Sequence, residues 1–200
     1  MDHFEVFGLP RRLGIDIAEL QRKFYELSRR SHPDLHQAAP PERQAEVLAT
    51  SARLNAAYRA LRDPIARIEY LVHLEEGRDT REGATVKPKA PPELLAEMFE
   101  IQEALQEARS SDQPGGLATE TREALVVQRE RLMARYRREE VRLVGPLTEA
   151  WDRGGAAERV GVIAAVKEAL AARAYLRTVI DDLDEALGEA REGHVSHRRH

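Results

Sequence analysis

His32, Pro33 and Asp34 stand side by side in a chain otherwise poor in reactive groupings. An imidazole and a carboxylate in one turn could exchange a proton, yet nothing around them completes a reaction site. No serine or threonine stands in a recognisable nucleophile elbow and no Gly-rich phosphate loop is present, so two loop residues do not make a catalytic pocket. Stiffness is the other property of the trio. Proline fixes one backbone angle and restricts the residue before it, so His32 and Asp34 are displayed on a turn with few conformations, which suits docking. His194, His197 and His200 lie in a polar tail without carboxylate support, which is a poor metal site. The chain has no cysteine, which excludes disulfides, thiolate ligands, a cysteine nucleophile and any cluster held on its own thiolates. The expectation is a protein that is not an enzyme and carries no cofactor or metal.

The elements that must position this turn are helical. Asp16 followed by Glu19 resembles a helix-starting capping box, and Ile17, Leu20, Phe24 and Leu27 then recur at amphipathic spacing until His32-Pro33 stops the helix. On the opposite face project Arg22, Glu26, Arg29 and Arg30, with Lys23 at the border, so most of that solvent face is positive. After Pro40 and Pro41 a second helix carries Val47, Leu54, Tyr58 and Leu61. Asp63-Pro64 ends it and begins a short helix with Ile65, Ile68 and Val72. Asn55 and Tyr58 are expected to pack against and cap the loop.

Residues 76–92 hold Gly77, Gly83, Pro88, Pro91 and Pro92 and read as a linker. Beyond it the pattern predicts helix from Glu93 to about Ser110, a Gly115-Gly116 turn, a long helix to about Asp152, a Gly154-Gly155 turn and a last helix to Leu187. That is a three-helix bundle. Pro146 should kink or divide the long segment. The predicted layout is therefore an all-α protein: an N-terminal helical hairpin unit over 1–75, a linker over 76–92, a bundle over 93–188 and a disordered tail over 189–200. Composition agrees, since 200 residues at 42% hydrophobic and 33% charged allow two small domains, and Ala, Leu, Glu and Arg dominate. The opening MDHFEVFGLP lacks a secretory pattern and no apolar run approaches the roughly 18 residues of a membrane span, so a soluble cytoplasmic protein is expected. A net charge of −4 with interspersed signs makes no case for nucleic-acid binding.

The segments LQRKFYELSRRSHPDLH and LNAAYRALRDPIARIEYL together resemble a J domain. The opening MDHFEVFGLP, the EYL segment, the length and the second helical domain resemble the HscB family more narrowly. That resemblance implies a co-chaperone of an HscA/DnaK-type ATPase chaperone that hands over an IscU-type iron-sulfur scaffold. It implies that His32, Pro33 and Asp34 trigger ATP hydrolysis on the partner, while Arg22, Lys23, Arg29 and Arg30 dock and orient. Two positions depart from general J domains: Leu35 replaces a residue that is often basic and Ser31 one that is often aromatic. The trigger is silent about cargo, so a J-domain co-chaperone for a different client stands as an alternative. So does a helical interaction protein in which the tripeptide is incidental.

In the helix beginning at Glu93, Leu94, Met98, Ile101 and Leu105 form a narrow apolar stripe suited to bundle packing. Leu95 and Phe99 lie a quarter to a third of a turn away, beside Gln102 and Glu103, and are expected to form a second, exposed ridge. A wide buried face would instead absorb both. By resemblance, Leu95, Phe99, Glu100 and Glu103, with Tyr175 on the last helix, contact the scaffold, and Ala96 replaces a residue that is often larger. Six acidic residues from Glu93 to Asp112 against Arg109 alone would complement a basic client.

Overall fold

The computed structural model describes residues 1–36, 38–77, 99–101, 103, 106 and 119–188; the predicted linker beyond Gly77, most of the predicted helix over 93–110, the Gly115-Gly116 turn and the tail lie outside them. All regular structure among the described residues is helical: α1 His3–Val6, α2 Ile17–Arg30, a 3₁₀ turn Pro33–His36, α3 Pro41–Arg62, α4 Pro64–Glu75, α5 Thr119–Arg142, a π-helical turn Leu143–Leu147, α6 Thr148–Arg153 and α7 Ala156–Ala186. None of the described helices is long and apolar enough to cross a membrane. The all-α expectation, with a J-domain arrangement followed by a helical bundle, is met.

Local chemistry accounts for the boundaries. Asp16 Oδ1 accepts from the backbone N–H groups of Ala18 at 2.8 Å and Glu19 at 3.3 Å, satisfying two orphan donors at the start of α2. Asp63 does the same for Ala66 at 2.8 Å, and Pro64 sits where α4 needs no donor. Gly77, at φ +63°, follows the end of α4 in a left-handed conformation that suits glycine. Pro146 divides the long segment as predicted: its ring cannot pass the carbonyl four residues back, and the backbone widens to a π turn there. The Thr148 hydroxyl donates to the Leu143 carbonyl at 2.9 Å, giving that acceptor a partner inside the widened turn.

The chain forms two compact units. The first comprises Met1–Ala84 together with Leu143–Val166. Here α1, α2, α4 and the 3₁₀ turn each pack on α3, and α4 also meets the π turn. Phe4, Leu13, Leu20, Leu61, Ile68, Leu71, Leu143 and Trp151 are essentially inaccessible. Each such side chain stabilises by about 1.5–3 kcal/mol through burial alone. The sequence reading assigned 143–166 to the C-terminal bundle, whereas these residues cluster with the N-terminal unit. Part of the reason is Asp152, whose carboxylate accepts from the backbone of Leu13 at 2.8 Å and Gly14 at 2.7 Å. The second unit comprises Thr85–Arg142 and Lys167–His200. Its core joins Ile101, Leu125, Leu132, Leu176, Val179, Ile180, Leu183 and Leu187. Arg129 pairs with Asp184 at 3.2 Å and Arg173 with Glu140 at 3.2 Å across α5 and α7.

Candidate functional site

The His-Pro-Asp turn follows the C-terminus of α2, and its 3₁₀ turn rests on α3. Leu20 is wholly buried, and Phe24 stacks on Tyr58 of α3 with centroids 4.1 Å apart, so the helix pair beneath the turn is pinned by an aromatic contact. Tyr58 packs at this junction. Asn55 does not cap the loop as anticipated: its Nδ2 donates to Ser51 O at 2.9 Å, one turn back in its own helix, leaving the side chain on an exposed face.

His32 and Asp34 project outward, their side chains 57% and 72% exposed. The Asp34 N–H donates to His32 Nδ1 at 3.3 Å, which requires Nδ1 to be unprotonated and leaves the proton of the neutral ring on Nε2. His32 Nδ1 also lies 3.6 Å from Asp34 Oδ2, an ion pair only when the ring is protonated. The Leu35 N–H donates to the His32 carbonyl at 3.1 Å, closing the turn, while the Leu35 side chain is 67% exposed. The turn thus presents a donor, an acceptor and an apolar group.

The four cations of α2 divide. Arg22, Arg29 and Arg30 are exposed. Arg22 and Arg30 both face Glu26, at 3.8 Å and 2.8 Å. Arg29 and Arg30 occupy the last turn, where cations complement the helix dipole. Lys23 stands apart: it is half-buried, its Nζ donates to the Phe7 carbonyl at 3.1 Å, and it lies 3.4 Å from Glu19. Its ammonium fastens α2 to the segment after α1.

On the second unit Phe99 is 75% exposed while Ile101, two residues on, is 3% exposed and joins the core. At 100° per residue the two point in opposite directions, and Glu103 lies within 40° of Phe99. Glu100 and Glu103 are exposed. Tyr175 packs partly buried against the same core that holds Ile101, and burial raises its pKa above the ordinary phenol value. Leu95, with Leu94 and Met98, falls outside the described residues. The described residues contain no cluster of three or more His, Cys, Asp or Glu that could hold a metal ion.

An antiparallel helix pair closed by an exposed His-Pro-Asp turn, followed in the chain by a helical bundle, is the arrangement of a J domain. Comparison narrows the class. No family model matches the sequence. The chain is 34% identical over 114 residues to a co-chaperone protein HscB homolog of Aliivibrio salmonicida, covering 57% of this chain and 65% of that protein. It is 37% identical over 108 residues to the homolog of Bordetella petrii, covering 54% and 62%. It therefore matches less than two thirds of the length of these relatives. The fold resembles the chaperone HscB from Vibrio cholerae, with a TM-score of 0.59 and 22% identity over 96% of this chain and 100% of that one. It also resembles human co-chaperone protein HscB, with a TM-score of 0.58 and 20% identity over 92% and 81%. In both sequence and fold the chain is similar to HscB-type co-chaperones, as its motifs implied.

Proposed function

We propose that this chain is a cytoplasmic co-chaperone that stimulates the ATPase of an HscA/DnaK-type chaperone and delivers to it an IscU-type scaffold, supporting iron-sulfur protein maturation. The observation that carries this reading is the exposed His32-Pro33-Asp34 turn beside Arg29 and Arg30, in a chain similar to HscB-type proteins. The ATP chemistry belongs to the partner. Arg22, Arg29 and Arg30 attract and orient an acidic surface on it, and His32 and Asp34 then bond to it where the turn is presented. Lys23 serves this face indirectly by holding α2 in place. Leu95 and Phe99 form the apolar part of the scaffold contact, flanked by Glu100 and Glu103 and completed by Tyr175. Hydrolysis then locks the chaperone onto the client.

The direct test is steady-state ATP turnover by a DnaK-class chaperone with and without this chain, and with and without a purified IscU-type scaffold. Stimulation by the chain, increased further by scaffold, is expected; unchanged turnover in every combination would overturn the reading. The client half has its own test. Leu95→Ala with Phe99→Ala should weaken scaffold binding by several kcal/mol in calorimetry, at about 2 kcal/mol for each well-buried apolar anchor, while leaving the urea midpoint nearly unchanged. Ile101→Ala should instead lower stability by roughly 2–5 kcal/mol. Loss of stability without loss of affinity in the double variant would assign that ridge to the core.

A further inference from the structure

Tyr25 lies on the outer face of α2 and is 62% exposed, the only tyrosine among the large hydrophobic side chains left exposed in the described residues. It is nevertheless held. Gln21 Nε2 donates to its hydroxyl at 3.3 Å from one turn back, and its ring leans on Phe24 with centroids 5.8 Å apart at 53°. Helical geometry puts Tyr25 about 40° from Arg29 and 60° from Arg22, and about 100° from Glu26. The ring thus stands beside Arg22 and Arg29, away from the exposed carboxylates Glu19 and Glu26, which lie about 120° and 100° from it. A tyrosine held in place before contact offers large apolar area with little further entropy to lose, the profile of an interface anchor.

We infer that Tyr25 is a specificity-determining anchor of the docking face, seated in an apolar recess bordered by carboxylates on the ATPase chaperone. Charge complementarity selects this occupant: the flanking Arg22 and Arg29 require acidic groups around whatever receives the ring. Two physically distinct contributions then act at one face. The arginines govern encounter and its salt dependence, and the tyrosine governs how long the complex lasts. The inference rests on the co-chaperone reading and deepens it.

The test is chaperone ATPase stimulation titrated with the full chain at several salt concentrations. Tyr25→Ala is expected to raise the half-maximal concentration on the order of tenfold, with the maximal rate and the salt slope unchanged. Arg29→Ala should reduce the slope instead. Tyr25→Phe, which keeps the ring, should stay near wild type, and Tyr25→Gln provides a polar replacement that keeps the helix should the alanine variant fold poorly. An unchanged half-maximal concentration for both Tyr25→Ala and Tyr25→Gln, while wild type stimulates, would overturn the Tyr25 assignment alone. So would a fall in maximal rate at constant half-maximal concentration, or self-association of wild type abolished by Tyr25→Ala. No stimulation by wild type would overturn the co-chaperone reading as well.

Discussion

At its N-terminal end α2 is tied down by its own cap and by groups distant in sequence. Asp16 caps it, Lys23 reaches the Phe7 carbonyl at 3.1 Å, and Asp152 grips the turn that leads into it through Leu13 and Gly14. At its C-terminal end Arg29, Arg30, His32, Asp34 and Leu35 are exposed, and two bonds that shape the turn, Asp34 N–H to His32 Nδ1 and Leu35 N–H to the His32 carbonyl, are local. The first set fixes a position and the second is displayed from it. Substitutions at the two ends should therefore fail differently, one in folding and the other in partner function.

Between the two ends of α2, the larger stability effect should come from Asp152→Ala. Removing the carboxylate takes the partner from the part-buried Leu13 N–H, leaves the exposed Gly14 N–H to water, and takes a compensating charge from Arg67, which is buried, donates Nη1 to the Leu61 carbonyl, and has its pKa lowered by that burial against the pull of Asp63 and Asp152. A loss of roughly 1–3 kcal/mol is expected in urea unfolding. Gly14→Ala should cost in the same direction, because its new Cβ would stand 2.9 Å from Asp152 Oδ2. An unchanged midpoint for both would break the contrast between the two ends.

A pair of cations on one helix sharpens it. Lys23→Ala should cost about 1 kcal/mol of stability through the lost bond to Phe7, whereas Arg29→Ala should leave the midpoint within a few tenths of a kcal/mol. Arg29→Ala with Arg30→Ala should weaken chaperone docking, and the defect should shrink at high salt as the wild-type advantage is screened. A salt-independent docking defect would instead indicate a packed contact or misfolding.

The smallest effect is one of pH, at the N-terminus that α2 leans on. His3 stacks on Tyr70 with centroids 4.2 Å apart, and burial lowers its pKa below the ordinary 6.5 despite the opposing pull of Asp2. The folded state thus binds fewer protons than the unfolded chain, and stability falls as pH drops through 6.5 toward the folded value. Burial alone would raise the Asp2 carboxyl, but the Glu5 N–H and Arg11 outweigh it and hold the pKa below 3.8. Its contribution is present at neutral pH and is lost only as pH falls below 3.8 toward the folded value. Urea midpoints at pH 7.5 and 5.5 should therefore differ less for His3→Gln than for wild type. Equal differences would place the acid sensitivity elsewhere.

Signals carried by neighbouring residues were legible in the sequence. The Asp16 cap, the His32-Pro33 stop, the Asp63-Pro64 junction and the break at Pro146 each follow from chemistry within one turn of helix. Periodicity also separated Phe99 from Ile101, because their phase differs by about half a turn. What escaped was set by distance or by flexible side chains. Asp152 meets Leu13 across 139 positions, and no local pattern announces such a bond or the grouping of 143–166 with the first unit. Lys23 sits at the border of the wheel, where a long stem can turn either to solvent or inward, and it turned inward. Tyr25 was passed over among its arginine neighbours, although its residue type on the polar face was a visible signal.

Whether the displayed end of α2 acts on a partner without supporting the fold is tested most directly at the His-Pro-Asp turn. ATPase turnover of a DnaK-class chaperone should be measured with wild type, His32→Gln and Asp34→Asn, alongside circular dichroism and urea melts of each. Both variants should lose stimulation while keeping wild-type spectra and midpoints, since both side chains are more than half exposed. Wild-type stimulation by either variant would contradict this.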